Sequence, residues 1–337
     1  MKHKVIHITH QLGGGTQKHI DELVLLYPDY EHTFITSLPL NIDIETTKQT
    51  KLVHIHAAIL ETNIGWNIIN LADYFKRNDI PVYLTIHDYQ WIFPVATGLS
   101  LEDIQKGMKP EKTNVDNCIK LFNTVDKIIF PSKRLFDNYH FFLDYIPSHH
   151  YIVNHNDILI RYDQFVVNNV DDTINIAFVG YSALHKGIKE LYQLAHVFKM
   201  YYDKHVIFHL FGGPTVLDMK NVVSHGPYYD KQLINMLHSH NIHIVLMLSI
   251  SEETYCYSLS RVINSGLPIV YFNRGSFLTR LSPEIPRFFP CENNTFELQK
   301  QTIRAVEYVL ENQGKKDYIE MKEDPELNEW YKNNYLV

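Results

Sequence analysis

Short apolar runs alternate with segments of helical periodicity through the first half of the chain. Apolar residues recur at helical spacing in three segments: from Thr16, which is predicted to cap its helix, over Asn63–Arg77, and after Ser132. The runs between these segments predict strands at Val5–Thr9, His32–Thr36, Leu52–His56, Val82–His87 and Lys127–Pro131. Strands that alternate with helices predict a parallel sheet covered by helices on both faces.

The pattern starts again after Asn168–Asp172, where a new first strand runs into Gly180 and a helix. Strands are predicted in this half at Ile174–Val179, Val206–Phe211, Val222–Val223 and Ile242–Leu248. The chain therefore predicts an α/β protein of two facing doubly wound parallel-sheet domains with a cleft between them. Residues 1–168 form the first domain and residues 169–321 the second, and a helix at about 322–337 is expected to pack back on the first.

One segment, Thr97–Thr113, breaks the rhythm of strands and helices. It is polar, contains Gly98, Gly107 and Pro110, and has no steady periodicity. We therefore expect a mobile loop beside the cleft.

Composition narrows the class of protein. The chain has 337 residues, of which 45% are hydrophobic, so it is long enough for two globular domains. A net charge of −7 provides no broad basic surface for nucleic acid. The three cysteines are far apart in sequence, which is typical of a reducing compartment. The first residues lack the apolar stretch of a secretory signal, and no apolar run approaches the roughly 18 residues that span a bilayer. We expect a cytoplasmic protein whose only membrane contact would be peripheral, at the inner face.

Glycines follow the first predicted strand of each half. Gly13, Gly14 and Gly15 lie between a strand and a helix, where glycine lets the backbone approach an anion; a plain structural turn explains them equally well. In the second half, Gly180 is followed by Lys186 at the predicted helix start. An ammonium beside free backbone N–H groups is suited to a diphosphate, although solvated lysines are common.

Charged and titratable residues also follow predicted strands. Glu252 and Glu253 come after the strand that ends at Ser249, and His87 ends the strand VYLTIH. The carboxyl ends of parallel strands are where open α/β sheets bind ligands. A carboxylate there can accept hydrogen bonds from sugar hydroxyls or support positive charge in a transition state, and a histidine can hydrogen-bond or orient a substrate. A charged first helical turn and a structural histidine are the alternatives.

The histidines invite a metal interpretation that the spacing does not favour. His54 with His56, and the trio His238, His240 and His243, lack the H-E-x-x-H order and a nearby acidic ligand. The D-x-D pattern that holds Mg²⁺ against a diphosphate is also missing from the sequence. We therefore expect no metal site and no cofactor.

Six segments in order resemble those of the family 4 glycosyltransferases, which have the GT-B fold of two facing Rossmann-like domains. The stretches are ITHQLGGGTQKHIDEL, PVYLTIHDYQWIFP, IIFPSKRL, IAFVGYSALHKGIKEL, FHLFGG with VVSHGPY, and SEETYCYSLSRVINSGLPIVYFNRGSF. The TYCYSL and FVGY wording is similar to members that build bacterial surface polysaccharides, including rhamnan-type enzymes. The resemblance implies a retaining, metal-independent hexosyl- or deoxyhexosyltransferase. It would move a sugar from a nucleotide-diphosphate donor to a glycan, lipid-linked or protein acceptor.

The resemblance also implies roles for individual residues. Lys186 would contact the donor diphosphate, Glu253 the donor sugar, and His87 the transferred sugar, so that His87 and Glu253 are the catalytic candidates. The remaining donor-binding candidates would lie against the donor through their backbone or at its edges: Gly13, Gly14, Gly15, Gly180, Gly212, Tyr255, Cys256, Tyr257 and Arg261.

Two positions depart from the family pattern. Tyr181 stands where the family has an arginine, and Arg261 stands where it has the glutamate that accepts the ribose hydroxyls. Because arginine only donates hydrogen bonds, the ribose is held differently, or Arg261, Arg274 or Arg280 supplies the missing cation, or the donor site is degenerate. The last case would make the chain a silent GT-B module that binds glycan or scaffolds a partner glycosyltransferase. A sugar-nucleotide epimerase is a third alternative.

Overall fold

The computed structural model describes residues 2–10, 14–36, 48–57, 64–93, 108–155, 164–214, 218–317 and 325–336. The chain divides into two compact units, and the first contains both termini: it comprises Met1–Asp157 and Asp324–Val337. The second unit is Ile158–Glu323. Gly13 and most of the loop predicted at 97–113 lie outside the described residues.

The first unit is built on a six-stranded parallel sheet in the order β2-β1-β3-β4-β5-β6. Its strands are β1 Lys4–Ile8, β2 Glu31–Ile35, β3 Thr50–Ile55, β4 Val82–Thr85, β5 Lys127–Phe130 and β6 His150–Ile152. Its helices are α1 Gly14–Leu26, α2 Ile64–Arg77, α3 Lys112–Thr124 and α4 Lys133–Leu143. The α/β alternation predicted from the sequence is confirmed here, and α3 begins inside the segment predicted as a loop.

The two faces of this sheet differ in chemistry because side chains alternate along each strand. One face is apolar at the centre of the sheet, with Ile6 of β1, Val53 of β3 and Leu84 of β4 in a single core. The other face starts apolar at Val5 and Leu52 and becomes polar toward the carboxyl ends of the strands. Buried histidines occupy that polar end.

The second unit has a seven-stranded sheet in which six strands are parallel, in the order β11-β10-β8-β12-β13-β14, and β9 pairs antiparallel with β10. Its strands are β7 Phe165–Val166, β8 Thr173–Val179, β9 Met200–Tyr201, β10 Lys204–Phe211, β11 Val222–Ser224, β12 Ile244–Met247, β13 Ile269–Phe272, β14 Phe288–Cys291 and β15 Lys316–Asp317. Its helices are α5 Ile188–Val197, α6 Leu233–Ser239, α7 Tyr257–Asn264, α8 Phe277–Arg280 and α9 Thr295–Glu311. Apolar cores cover both faces of the large sheet.

Short strands set the edges of the second unit. β7 and β15 form an antiparallel pair, so the residues just before position 168 belong with this unit rather than with the first. The sequence places the boundary at 168/169, after this short strand, because a two-residue strand carries no periodic signal.

The last helix, α10 Pro325–Asn334, lies in the first unit. Tyr331 is fully buried and Tyr335 nearly so, and both pack with Val5, Leu23 and Leu52. The Tyr335 hydroxyl lies 2.6 Å from Nδ1 of His54, and the Tyr27 hydroxyl donates to the Tyr331 carbonyl. Within the described residues, no helix is both long and apolar enough to cross a membrane.

Candidate functional site

Two loops of the second unit follow neighbouring strands at the point where the order of its sheet reverses. All six strands are parallel, but their order changes at β8: β10 and β11 lie on one side of it, and β12, β13 and β14 lie on the other. The order of the sheet therefore reverses between β8 and β12. In open α/β sheets, ligands bind in the crevice outside the carboxyl ends of such a strand pair. The loop after β8 contains Gly180 and Lys186, and the loop after β12 contains Ser249 and Glu253.

Lys186 and Glu253 form an ion pair at this edge, with 2.5 Å between Nζ and Oε1. The Ser249 hydroxyl donates to the same carboxylate oxygen at 2.6 Å. Burial alone would lower the pKa of Lys186, but Glu253 raises it above its usual value. Burial alone would raise the pKa of Glu253, but Lys186 and Ser249 bring it below its usual value. Both groups are therefore charged at neutral pH.

Lys186 is held in place by a glycine that the fold requires. It ends a 3₁₀ turn, Leu184–Lys186, and Gly187 follows with φ of +84°. A Cβ on Gly187 would lie 1.9 Å from the Leu248 carbonyl oxygen, so the turn packs directly on the end of β12. The Ile250 N–H also donates to the His185 carbonyl at 3.0 Å, and this hydrogen bond ties the two loops together.

Glu253 is fixed from the other side by the segment after β13. The Ser276 N–H donates to the Glu253 carbonyl at 2.7 Å. Gly275 has φ of +55°, and a Cβ there would lie 2.4 Å from the Glu253 nitrogen. The carboxylate is therefore carried by a backbone that two neighbouring segments hold rigid, and its side chain is 12% exposed.

The segment Tyr255–Tyr257 leads into α7 with strained backbone. Cys256 has φ of +67°, a conformation that residues other than glycine adopt at a cost of about 1–3 kcal/mol. The Arg280 guanidinium donates to the Tyr255 carbonyl at 2.6 Å and to the Cys256 carbonyl at 2.9 Å, and it lies 4.1 Å from the Tyr255 ring centre. Arg280 thus stabilises the loop, a role that sequence reasoning missed when it considered this residue as a substitute phosphate cation.

Arg274 and Arg261, the other two substitute cations, are also engaged. Arg274 donates to the Ile250 carbonyl at 2.7 Å. Nε of Arg261 lies 2.7 Å from Oδ2 of Asp230, and the Arg261 side chain is only 4% exposed, whereas that of Asp230 is 35% exposed. The structure therefore presents a carboxylate, not a guanidinium, toward solvent at this position. No sequence signal pointed to Asp230.

The glycines after β8 and β10 lie against each other. The Gly180 N–H donates to the Phe211 carbonyl at 2.9 Å, and a Cβ on Gly212 would lie 2.6 Å from the Gly180 carbonyl oxygen. Tyr228 borders the same corner, 3.3 Å from that Cβ position, and its hydroxyl lies 3.3 Å from Ser258 Oγ. Tyr181 is largely exposed beside them.

In the first unit, helix α1 begins two residues earlier than predicted, within the glycine-rich segment. The helix begins at Gly14, so Gly14 and Gly15 are its first residues and Thr16 lies inside it instead of capping it. Gly14 has φ of +74° with open space where a side chain would be. The predicted cap is wrong because a capping residue stands before the first helical residue, and Thr16 follows two residues that already belong to the helix.

His87 follows β4 and is buried among other histidines. Its Nε2 lies 3.3 Å from Nδ1 of His56, and Nε2 of His56 lies 3.0 Å from Nδ1 of His7. Nε2 of His7 in turn lies 3.0 Å from Nδ1 of His32, so four imidazoles form a chain across three strands and the edge strand β2. The sequence carried a signal for this chain: His7, His56 and His87 all fall near the carboxyl ends of neighbouring strands.

The trio His238, His240 and His243 is not brought together as a ligand set among the described residues. His243 accepts from the Asn175 N–H at 2.8 Å through Nδ1, and its Nε2 lies 3.0 Å from the Asn169 carbonyl. Its two nitrogens thus bind the backbone at Asn169 and at Asn175, the segment that leads into β8. His240 bonds to the Met236 carbonyl within its own helix end.

The histidines of the first unit predict a loss of stability in mild acid. Burial lowers the pKa of His7 and of His87 to about 3, and burial with neighbouring imidazoles puts the pKa values of His19, His54 and His56 well below their usual value. The unfolded chain binds more protons below about pH 6.5, so each group stabilises the fold above that pH and loses its contribution as the pH falls toward 3.

Each such histidine adds up to about 1.4 kcal/mol per pH unit to the slope of the unfolding free energy. Asp88 acts in the opposite direction: burial raises its pKa to about 6, so its contribution to stability is lost as the pH rises. We expect the urea midpoint of tryptophan fluorescence to fall steeply between pH 7 and pH 5; all three tryptophans, Trp66, Trp91 and Trp330, lie in the first unit. A midpoint that stays constant over this range would contradict the neutral, buried assignment.

Comparison with known proteins supports the fold. No protein-family model matches the sequence, and no curated protein matches it. Among solved structures, sucrose-phosphate synthase from Thermosynechococcus elongatus aligns with a TM-score of 0.62 and 13% identity, over 91% of this chain and 90% of that one. HepE from Anabaena, in complex with UDP, aligns with a TM-score of 0.63 and 12% identity, over 91% of this chain and 90% of HepE. The lipopolysaccharide outer core galactosyltransferase WaaB aligns with a TM-score of 0.59 and 11% identity, over 92% of this chain and 91% of WaaB.

These similarities extend over nine-tenths of each chain and include both units. The two sheets of parallel strands, each with helices, match the α/β architecture expected from the sequence. The chain has the GT-B fold of these glycosyltransferases.

Proposed function

We propose that the protein is a retaining glycosyltransferase that moves a sugar from a nucleotide-diphosphate donor to a glycan, lipid-linked or protein acceptor. The observation that carries this proposal is the Lys186–Glu253 pair at the carboxyl edge of β8 and β12. It combines a charged ammonium with a charged carboxylate where sheets of this order bind ligands.

The pair divides the recognition of a sugar nucleotide between its two members. The Lys186 ammonium, 31% exposed, donates to diphosphate oxygens, and the Glu253 carboxylate accepts from hydroxyls of the donor sugar. Backbone N–H groups at Tyr255–Tyr257 contact the phosphates as α7 begins. Gly180 and Gly212 let the donor approach the backbone. For Gly13, Gly14 and Gly15, contact with the donor is what the motif resemblance implies.

The protein would accelerate transfer through placement and positive charge at the departing diphosphate. A retaining reaction on one face of the sugar lets the leaving phosphate assist the acceptor hydroxyl, so neither a metal nor another cofactor is assigned to the transfer. The assignment of His87 to the transferred sugar rests on the motif resemblance alone. The lowered pKa of His87, about 3 as a result of burial, makes it a neutral hydrogen-bonding group at physiological pH.

Asp230 is our candidate for the ribose hydroxyls. Position 261 has an arginine that only donates, but Arg261 orients the half-exposed carboxylate of Asp230 through the 2.7 Å ion pair. Asp230 follows Tyr228, which borders Gly212, so the carboxylate belongs to the same loop cluster as the glycines. Under this proposal the carboxylate that accepts hydrogen bonds from the ribose belongs to Asp230, instead of to a glutamate at position 261 as in the family pattern.

The finer assignments rest on the motif resemblance. It favours a hexosyl or deoxyhexosyl donor and a role in bacterial surface polysaccharide or glycoconjugate synthesis, in the cytoplasm or at the inner face of the membrane. Two of the similar structures are complexes of HepE with UDP and with UDP-glucose, so uridine donors are the first candidates.

A second function is favoured by Tyr181 and Arg261. Tyr181 offers no cation where the family has one, and Arg261 is engaged with Asp230. A chain without a working donor site would be a GT-B module that binds glycan or scaffolds an active glycosyltransferase.

Calorimetric titration with UDP-, GDP- and dTDP-sugars distinguishes the two functions. We expect micromolar binding of at least one donor, weakened about 10-fold or more by Asp230→Asn when the ligand contains ribose, and weakened less when it contains deoxyribose, which has lost one of the two hydroxyls. dTDP-sugars contain deoxyribose and provide the internal comparison. If no nucleotide diphosphate sugar binds, the transferase proposal is refuted and the silent module is supported.

A further inference from the structure

The histidine chain ends in a group of three imidazoles that come from three separate elements. His19 lies on α1, His56 directly follows β3, and His87 follows β4. One ring nitrogen from each lies within 4.8 Å of the other two, and all three side chains are buried. His155 packs on this group, with its ring centre 4.2 Å from that of His19.

The chain of hydrogen bonds fixes which nitrogen of His56 faces the group. A carbonyl only accepts, so Nε2 of His32, 3.0 Å from the Tyr27 carbonyl, carries the proton of a neutral ring, and Nδ1 of His32 accepts. Nε2 of His7 must then donate to His32, and Nδ1 of His7 must accept from Nε2 of His56. The remaining nitrogen of neutral His56, Nδ1, therefore points its lone pair toward His87.

His19 has no such network. Its side chain is completely buried, and neither ring nitrogen has a hydrogen-bond partner among the described residues. Leaving a buried polar atom unsatisfied costs about 1–3 kcal/mol, and such groups are rare. The imidazole of His19 instead lies beside two other imidazoles, one of which has its lone pair fixed.

The spacing of the three rings is that of ligands on one tetrahedral ion. Metal–nitrogen bonds of about 2.0–2.1 Å place two ligand nitrogens about 3.3 Å apart and two imidazole centres about 5 Å apart. Nδ1 of His56 and Nε2 of His87 are 3.3 Å apart. The ring centres are 5.7 Å apart for His19 and His56, 5.3 Å for His19 and His87, and 5.5 Å for His56 and His87.

A second trio, His7, His54 and His56, fits less well. The ring centres of His54 and His56 are only 3.8 Å apart, too close for two ligands of one ion. His54 also has both nitrogens engaged, with the Tyr335 and Thr85 hydroxyls at 2.6 and 2.8 Å.

We propose that His19, His56 and His87 bind a divalent transition-metal ion of the zinc class, with water as the fourth ligand. Neutral imidazole nitrogens suit Zn²⁺, and a site with three protein ligands keeps one position open. His7 orients His56 through the 3.0 Å hydrogen bond, as partners of metal-binding histidines do. The proposal does not rest on the proposed transferase function. It contradicts the expectation, from sequence spacing alone, that the chain has no metal site.

The site can be tested with the full chain after dialysis against a chelator. Titration with Co²⁺ should give one equivalent of binding and the intense visible absorption of tetrahedral cobalt, and Zn²⁺ should displace it. His19→Gln and His87→Gln should each weaken Co²⁺ binding at least about 100-fold, and His7→Gln should weaken it about 10-fold through loss of orientation.

His243→Gln is the matched control, because His243 is equally buried but lies in the second unit. It should bind Co²⁺ as the unmodified protein does. Circular dichroism confirms that each variant folds; if His19→Gln does not fold, His87→Gln decides. Failure of the unmodified chain to bind, an octahedral spectrum, or equal binding by the folded triad variants would overturn the proposal. Because donor binding is measured separately, loss of metal binding and loss of the transferase function are distinguishable.

Discussion

Replacement of Lys186 by methionine should weaken donor binding by about 10- to 100-fold and also destabilise the second unit. The affinity loss follows from the removal of a charge-assisted hydrogen bond to the diphosphate, worth about 1.5–3 kcal/mol. The stability loss has a different origin: the Glu253 carboxylate, only 12% exposed, is left without the ammonium that lies 2.5 Å away. Calorimetric donor titration and thermal unfolding measure the two effects.

The pH dependence of this variant has a defined sign. In the unmodified protein the pKa of Glu253 is lowered, so its contribution to stability is present above its unfolded value of about 4.5 and is lost as the pH falls. Without Lys186 burial raises that pKa, and the protonated form is favoured. The stability difference between the two proteins should therefore be largest near pH 7 and shrink toward pH 4.

Two further variants separate binding from folding. Adding Glu253→Gln to Lys186→Met removes the unpaired charge, so the double variant should regain most of the stability at pH 7 but not the donor affinity. Lys189→Met removes an exposed lysine three residues away and should change neither property. Unchanged donor affinity in Lys186→Met would refute its diphosphate role.

Substitution of Gly187 by alanine should have the largest effect on stability, at least about 3 kcal/mol. Alanine at φ of +84° costs about 1 kcal/mol, and its Cβ would meet the Leu248 carbonyl oxygen at 1.9 Å. That oxygen is backbone at the end of a central strand, so neither partner can move without displacing the Lys186 turn. A fall in the thermal midpoint of roughly 6–12 °C is expected for a unit of this size.

Gly226→Ala is the control for backbone strain alone. Gly226 has φ of +71° with nothing within 4 Å of its Cβ position, so this variant should lose only about 1 kcal/mol. If Gly187→Ala and Gly226→Ala unfold at the same temperature, the close approach to Leu248 is wrong.

The two candidate sites both lie at the carboxyl ends of parallel strands, one site in each unit. In the second unit the loops after β8 and β12 carry the ion pair, and in the first unit the strands β1, β3 and β4 carry histidines to their carboxyl ends. Parallel strands bring those ends to one edge, so residues 67 positions apart in sequence meet as Lys186 and Glu253.

The fold and two residues of the candidate donor site could be predicted from the sequence. Short apolar runs with helical segments between them indicated two α/β sheets, and glycine next to a strand end marked both turns. The motif order indicated the fold, and Lys186 and Glu253 were placed at strand ends before their contact was visible. Gly13, by contrast, lies outside the described residues, and the roles assigned to the remaining site residues stay predictions.

Tertiary structure decided what the charged and polar side chains do with one another. Arg280 and Arg261 look alike in sequence, yet the first donates to the Tyr255 and Cys256 carbonyls and the second pairs with Asp230. The sequence showed histidines at strand ends but did not group His19 with His56 and His87, because His19 is on a helix and the other two follow different strands. Hydrophobic periodicity reports which face of one element is buried, but the partner of a buried polar group depends on which other element covers that face, and only the packed sheet and helices define that.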